Sequence, residues 1–187
     1  SRAQHFTTLS FPIRELQGKR LGLVGYGTLA RGVEKLARAF EMRILIAQRP
    51  GGVPRDGRLE MGELLAQADV LSLHCPLLPA TRHLIDARAL RTMKRSAILI
   101  NTSRGAVVDN AALADALRDG EIAGAGIDVL EQEPPPSDHP LLRERLPNLI
   151  VTPHVAWASL EARQRVVDKM AENLQAWLQD DPVRVVS

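Results

Sequence analysis

The sequence predicts a doubly wound α/β fold, a parallel sheet with helices on both faces. Three observations predict it. Short apolar runs of strand length alternate with helical patterns from Gly18 onward. Their connections are short, so right-handed crossovers bring the carboxyl end of each strand to one edge of the sheet. The first strand also passes into the first helix across Gly25-Tyr26-Gly27, and the hydrophobic period changes from strand to helix at that turn.

Leu21, Leu23 and Val24 make the first strand, and Leu29, Val33, Leu36 and Phe40 recur at helical spacing after the turn. Gly25 permits the sharp turn, Gly27 lets an anion reach the backbone, and Ala30 is the third small residue, where helix meets strand. The amides that open the helix, at Thr28 and Leu29, lack intrahelical partners and lie at the positive end of its dipole. A G-x-G-x-x-A string between such a strand and such a helix predicts a dinucleotide site. A second strand over 43–47 ends in Gln48-Arg49 without a carboxylate. Because an acidic residue there would bind the ribose hydroxyls of NAD, whereas arginine accommodates a 2′-phosphate, the pattern favours NADP, with NAD the alternative.

A Gly/Pro-rich loop over 50–58 leads to a short helix at 61–68 and a strand at 70–73. In His74-Cys75-Pro76-Leu77-Leu78-Pro79 the prolines break the ladder and stiffen a loop at the strand's carboxyl end. Asp86 caps the next helix, and a strand at 97–100 runs into Asn101-Thr102-Ser103-Arg104-Gly105. Asp109 caps a helix over 110–119 that Gly120 stops. A strand over 123–130 passes Asp128 and leads to Glu131-Gln132-Glu133-Pro134; the last strand, 149–151, leads to Thr152-Pro153-His154. A long helix from about residue 160 to 178 carries Val167, Met170, Leu174, Trp177 and Leu178 on one face. Gly27, Pro76, Arg104, Asp128, Glu133 and His154 all fall at or just past strand ends, so a shared cleft is expected there.

Composition narrows the function. The chain has 187 residues, 45% hydrophobic and 25% charged, enough for one good core and a small appendage. Its 24 Lys and Arg against 22 Asp and Glu leave a net charge of +2, with the basic residues scattered, which argues against nucleic acid. The lone cysteine, Cys75, and the lack of a Cys/His cluster indicate no disulfide and no metal, and fit a reducing compartment. Neither a leader nor a membrane-length apolar run is seen, so a cytoplasmic protein is expected. The chain starts at Ser1 rather than Met, so the natural protein is expected to start earlier.

The strings GYGTLA, LHCPLLPATRHLI, INTSRGAVVD, GAGIDVLEQEP and VTPHVAW, in that order and at those intervals, resemble the D-isomer-specific 2-hydroxyacid dehydrogenases. The likeness runs from Gly18 to about Asp180 and is nearest the glycerate dehydrogenase, or hydroxypyruvate reductase, branch. It implies a Rossmann-like NAD(P)-binding domain and hydride transfer between the nicotinamide and a small 2-hydroxyacid or 2-oxoacid. It implies Arg104 as the carboxylate-binding residue, His154 as the acid–base group, and Glu133 as the partner that orients His154 and raises its pKa. It also implies cofactor contacts from Gly25, Gly27, Thr28, Leu29, Gln48, Arg49, Cys75, Pro76, Thr102 and Asp128.

The resemblance further implies a connecting arm at 1–17, a dinucleotide domain at 18–158 and a returning helix at 159–187. The family's substrate lobe is largely absent from this chain, so the isolated chain is expected to bind cofactor and turn over weakly or not at all, with the last helix left exposed. Homodimerisation through the nucleotide domain is expected. The alternative is a dinucleotide-sensing binding module like the family's corepressor relatives.

Overall fold

The computed structural model describes residues 13–185. Most of the expected arm therefore lies outside the described residues, including its Phe11-Pro12. From Gly18 the chain alternates as predicted: β1 (Arg20–Val24), α1 (Thr28–Ala39), β2 (Arg43–Ile46), α2 (Met61–Gln67), β3 (Val70–Leu73), α3 (Ala87–Thr92), β4 (Ile98–Asn101), α4 (Asn110–Arg118), β5 (Gly124–Ile127), β6 (Leu149–Val151) and α5 (Leu160–Leu178). Single 3₁₀ turns lie at Pro79–Thr81 and Gly105–Val107. The caps read from the sequence are present: Asp86 accepts from the Ala89 amide, and Asp109 from those of Ala111 and Ala112.

The six strands form one sheet in the order β2-β1-β3-β4-β5-β6, every neighbouring pair parallel. The direction of winding reverses between β1 and β3, the switch point at which open sheets of this kind take ligands. Successive side chains alternate between the faces. Val24, Leu71, Leu73, Leu99, Ala125 and Ile127 join the main core with the leucines of α2, α3 and α4. Leu21 and Leu23 point the other way, into a smaller cluster with Ala37 and Met42.

Coverage of that second face is uneven. α1 packs over β1 and β2, whereas Ile98 is exposed on β4 and Ile150 on β6 is 71% exposed. The packing surface of α1 also differs from its stripe of large residues. Ala30 and Ala37 are buried and let the helix approach the sheet, while Leu29, Leu36 and Phe40 remain exposed. The connection from β5 to β6 carries no helix and is anchored by buried Val129, His139, Leu141 and Leu146 instead.

The described residues form two compact units, one ending at Val151 and the other beginning at Thr152. The second contains α5, which Ser159 caps through the Ala162 amide and which buries none of its residues. Its Val167, Met170, Leu174, Trp177 and Leu178 are all exposed. Among the described residues no helix is long and apolar enough to cross a membrane.

The uneven coverage predicts opposite sensitivities on the two faces. Leu99→Ala is expected to lower unfolding free energy by about 2–5 kcal/mol, and Ile150→Ala by less than about 1 kcal/mol. Urea denaturation checks both; an equally large loss at Ile150 would mean that its face is buried.

Candidate functional site

At the end of β1, Gly25 adopts φ +86°, a conformation side chains disfavour. A Cβ there would lie 2.7 Å from both the Cys75 amide nitrogen and the His74 carbonyl carbon, so only glycine admits the chain leaving β3. At Gly27, by contrast, a Cβ would meet nothing within 4 Å. Gly27 caps α1 without a side-chain hydrogen bond, and the first turn has no acidic residue. Open space therefore faces uncapped helix amides, among them those of exposed Thr28 and Leu29, and that combination fits a pyrophosphate.

At the end of β2 the side-chain amide of Gln48 donates to Val53 O at 2.5 Å and Gly52 O at 3.4 Å, folding the following loop onto itself. Arg49 is exposed beside it. At the end of β3 the His74 amide continues the ladder to Val24 O, and its ring Nε2 shares a 2.9 Å hydrogen bond with the Ser72 hydroxyl. Burial holds the His74 pKa below its ordinary value and pushes the Cys75 thiol up, so neither is primed to carry charge. Buried Thr81 fixes the proline loop, its hydroxyl donating to Pro76 O at 2.7 Å and accepting from the Leu78 amide at 2.7 Å.

The turn after β4 is built on fully buried Asn101. Its Oδ1 accepts from the Ser103 amide and hydroxyl at 3.0 and 2.8 Å, and its Nδ2 donates to Arg104 O at 3.0 Å. Thr102 and Arg104 are left at the surface, with Arg104 Nη1 donating to Ser103 O. Directly after Arg104, a Cβ on Gly105 would fall 1.9 Å from the carbonyl carbon of Leu130 and 2.4 Å from the Glu131 nitrogen. The Arg104 turn thus lies backbone to backbone against the segment that follows β5. Glu133 belongs to that segment, and its Oε1 accepts from the Leu130 amide at 2.8 Å.

Two further ties hold the segment. Asn110, buried at the start of α4, accepts from the Glu131 amide, and the Glu131 carboxylate binds Arg82 at 2.6 Å and His83 at 3.1 Å. Asp128, buried just past β5, donates its amide to Asn101 O.

Gly25, Cys75 and Pro76 thus converge at the switch point, and Thr102, Arg104, Asp128 and Glu133 gather around the ends of β4 and β5. Thr152 and His154 belong to the second unit. There His154 has φ +55°, its amide donates to Thr152 O, and its carbonyl accepts from Trp157 Nε1 at 2.8 Å. Among the described residues no group of His, Cys, Asp and Glu could hold a metal. The organising roles of Asn101, Thr81, Asn110 and Gly105 were not anticipated. The Asn-x-Ser signature of an Asx turn was the one available signal among them.

The NAD binding domain of the D-isomer specific 2-hydroxyacid dehydrogenases matches residues 1–156. A glycerate dehydrogenase of Methylorubrum extorquens is 46% identical over all of this chain and 58% of its own length. A Lactobacillus jensenii D-lactate dehydrogenase solved with NAD+ superposes with TM-score 0.85 at 30% identity, covering 97% of this chain and 59% of that one. An acyclic imino acid reductase in complex with NADPH and D-Arg superposes at 0.84 with 31% identity, covering 98% and 58%. The chain therefore spans less than two thirds of the length of these proteins.

The two glycines are predicted to fail differently. Gly105→Ala should cost more than about 3 kcal/mol of stability, because the clash is with backbone. Gly27→Ala should stay within about 1 kcal/mol of the parent and still weaken dinucleotide binding. Urea denaturation and fluorescence titration separate these effects; a stable Gly105→Ala chain would contradict the close approach.

Proposed function

Because the chain belongs to the D-isomer specific 2-hydroxyacid dehydrogenase family through its NAD-binding domain, we propose that the protein containing it is an NADP-preferring oxidoreductase. Its substrates are small D-2-hydroxyacids and 2-oxoacids of the glycerate, hydroxypyruvate or glyoxylate kind. In this reading Gly25, Gly27 and the amides of Thr28 and Leu29 hold the pyrophosphate, and Gln48 and Arg49 meet the adenosine ribose, with Arg49 reading the 2′-phosphate. Cys75, Pro76 and Thr102 line the nicotinamide end, and Asp128 holds the carboxamide. When bound, the nicotinamide supplies or accepts the hydride.

The chain's own residues do the rest. Arg104 binds the substrate carboxylate and polarises the carbonyl, its planar fork suiting that geometry. His154 donates a proton to the carbonyl oxygen in reduction and recovers it in oxidation, for which imidazole suits both directions. Glu133 orients the ring. The observation that carries this reading is the backbone contact at Gly105, which sets the Arg104 turn against the segment bearing Glu133. The left-handed backbone of His154 adds to it, since strained residues gather at functional sites.

We further assign residues 1–17 to a connecting arm, 18–158 to the dinucleotide domain and 159–187 to a helix returning to a substrate lobe. The molecule is proposed to be a homodimer that pairs through the nucleotide domain in the cytoplasm. One variant tests the chemistry. In the protein containing this chain, His154→Gln should lower kcat for hydroxypyruvate with NADPH by about a hundredfold or more, with the dinucleotide dissociation constant within about twofold of the parent. Undiminished turnover would remove His154 from the reaction.

A further inference from the structure

The glycine turn carries a cationic group that the reading above leaves unused. Tyr26, half-buried between Gly25 and Gly27, packs its ring against the small core cluster between α1 and β2. Two guanidinium groups lie on that ring, Arg31 from α1 at 5.4 Å and Arg58 from the loop after β2 at 5.6 Å from its centroid. Arg58 also reaches Ala47 O with Nη1, so it stands beside the residue that follows β2, directly before Gln48 and Arg49. The two cations approach the same corner from different segments of the chain.

The nearby acid, Glu34, lies in the field of Arg31 but makes its hydrogen bonds elsewhere. Glu34 accepts from the Tyr26 hydroxyl with Oε2 and from Arg38 Nε with Oε1 at 2.8 Å, and Arg38 Nη2 also lies 2.7 Å from Oε1. Among the described residues neither Arg31 nor Arg58 has a carboxylate partner. A guanidinium stacked on an aromatic face keeps its orientation while its in-plane N–H donors stay available. Phosphate is an anion that such edges grip in a fork.

We propose that Arg58 and Arg31, stacked on Tyr26, complete with Arg49 a preassembled site for a phosphate on the 2′-oxygen of the adenosine ribose. Arg58 is the principal determinant and Tyr26 a positioning residue. The inference rests on the NADP reading above and deepens it. The discriminating charge then comes chiefly from a residue well beyond the strand end, held by a ring in the glycine turn, in addition to the arginine directly after β2.

The test titrates the chain with NADPH and NADH by ligand fluorescence, in the parent and in Arg49→Ala, Arg58→Ala, Arg58→Gln, Tyr26→Phe and Tyr26→Leu, with circular dichroism on each to verify folding. The parent is expected to bind NADPH more tightly. Arg58→Ala should weaken NADPH about tenfold while NADH stays within about twofold. Arg58→Gln, which keeps a donor for Ala47 O, should match that loss. Tyr26→Phe keeps the ring and should retain the preference, whereas Tyr26→Leu should lose part of it. An NADPH preference that Arg49→Ala erases and the Arg58 variants leave intact overturns this inference and spares the NADP reading. Equal losses for both dinucleotides on removing Arg58 overturn it as well. Parent binding of NADH as tight as NADPH, or of neither, overturns the NADP reading and this inference together.

Discussion

Two backbone-on-backbone contacts hold the carboxyl edge of the sheet together: Gly25 against His74 and Cys75, and Gly105 against Leu130 and Glu131. Each is possible only where a residue has no Cβ. Each joins loops that follow neighbouring strands, β1 to β3 and β4 to β5. A side chain at either glycine would push apart loops that the sheet brings side by side. Hydrogen bonds alone would not restore the spacing, because protein interiors resist changes as small as a methyl group.

The polar groups at that edge work within this constraint. Asn101 shapes the turn that ends at Arg104, and Thr81 holds the loop that begins at Pro76. Asn110 and the Arg82–His83–Glu131 cluster restrain the segment leading to Glu133. These supports come from elements on the well-covered face of the sheet. The other face is covered by α1 at one end and exposes Ile98 and Ile150 at the other, and α5 keeps its apolar stripe exposed.

The strands and helices were legible because their signals are local: period, caps and prolines. Placement of Gly27, Pro76, Arg104 and Asp128 at or just past strand ends followed from the same signals, since parallel topology sends the carboxyl ends of those strands to one edge. What escaped was set by distant neighbours. Gly105 reads as an ordinary turn glycine until Leu130 lies against it, and Thr81 as a loop threonine until it closes on Pro76. In α1 Ala30 was legible as the small residue where helix meets strand, but Ala37 joins it on the sheet in place of the larger Leu29, Leu36 and Phe40, because close helix–strand packing demands small residues there. Periodicity likewise carries no sign that β5 reaches β6 without a helix, as that connection is held by scattered buried residues.

Backbone amide hydrogen exchange on the chain, with and without saturating NADPH, tests most directly whether these glycine contacts frame a dinucleotide site. Slower exchange on binding is expected at residues 25–29 and at His74, Cys75 and Leu77, the two sides of the switch point, with the opposite edge of the sheet unchanged. Binding that slows exchange only elsewhere, in α5 or at the amino ends of the strands, would contradict it.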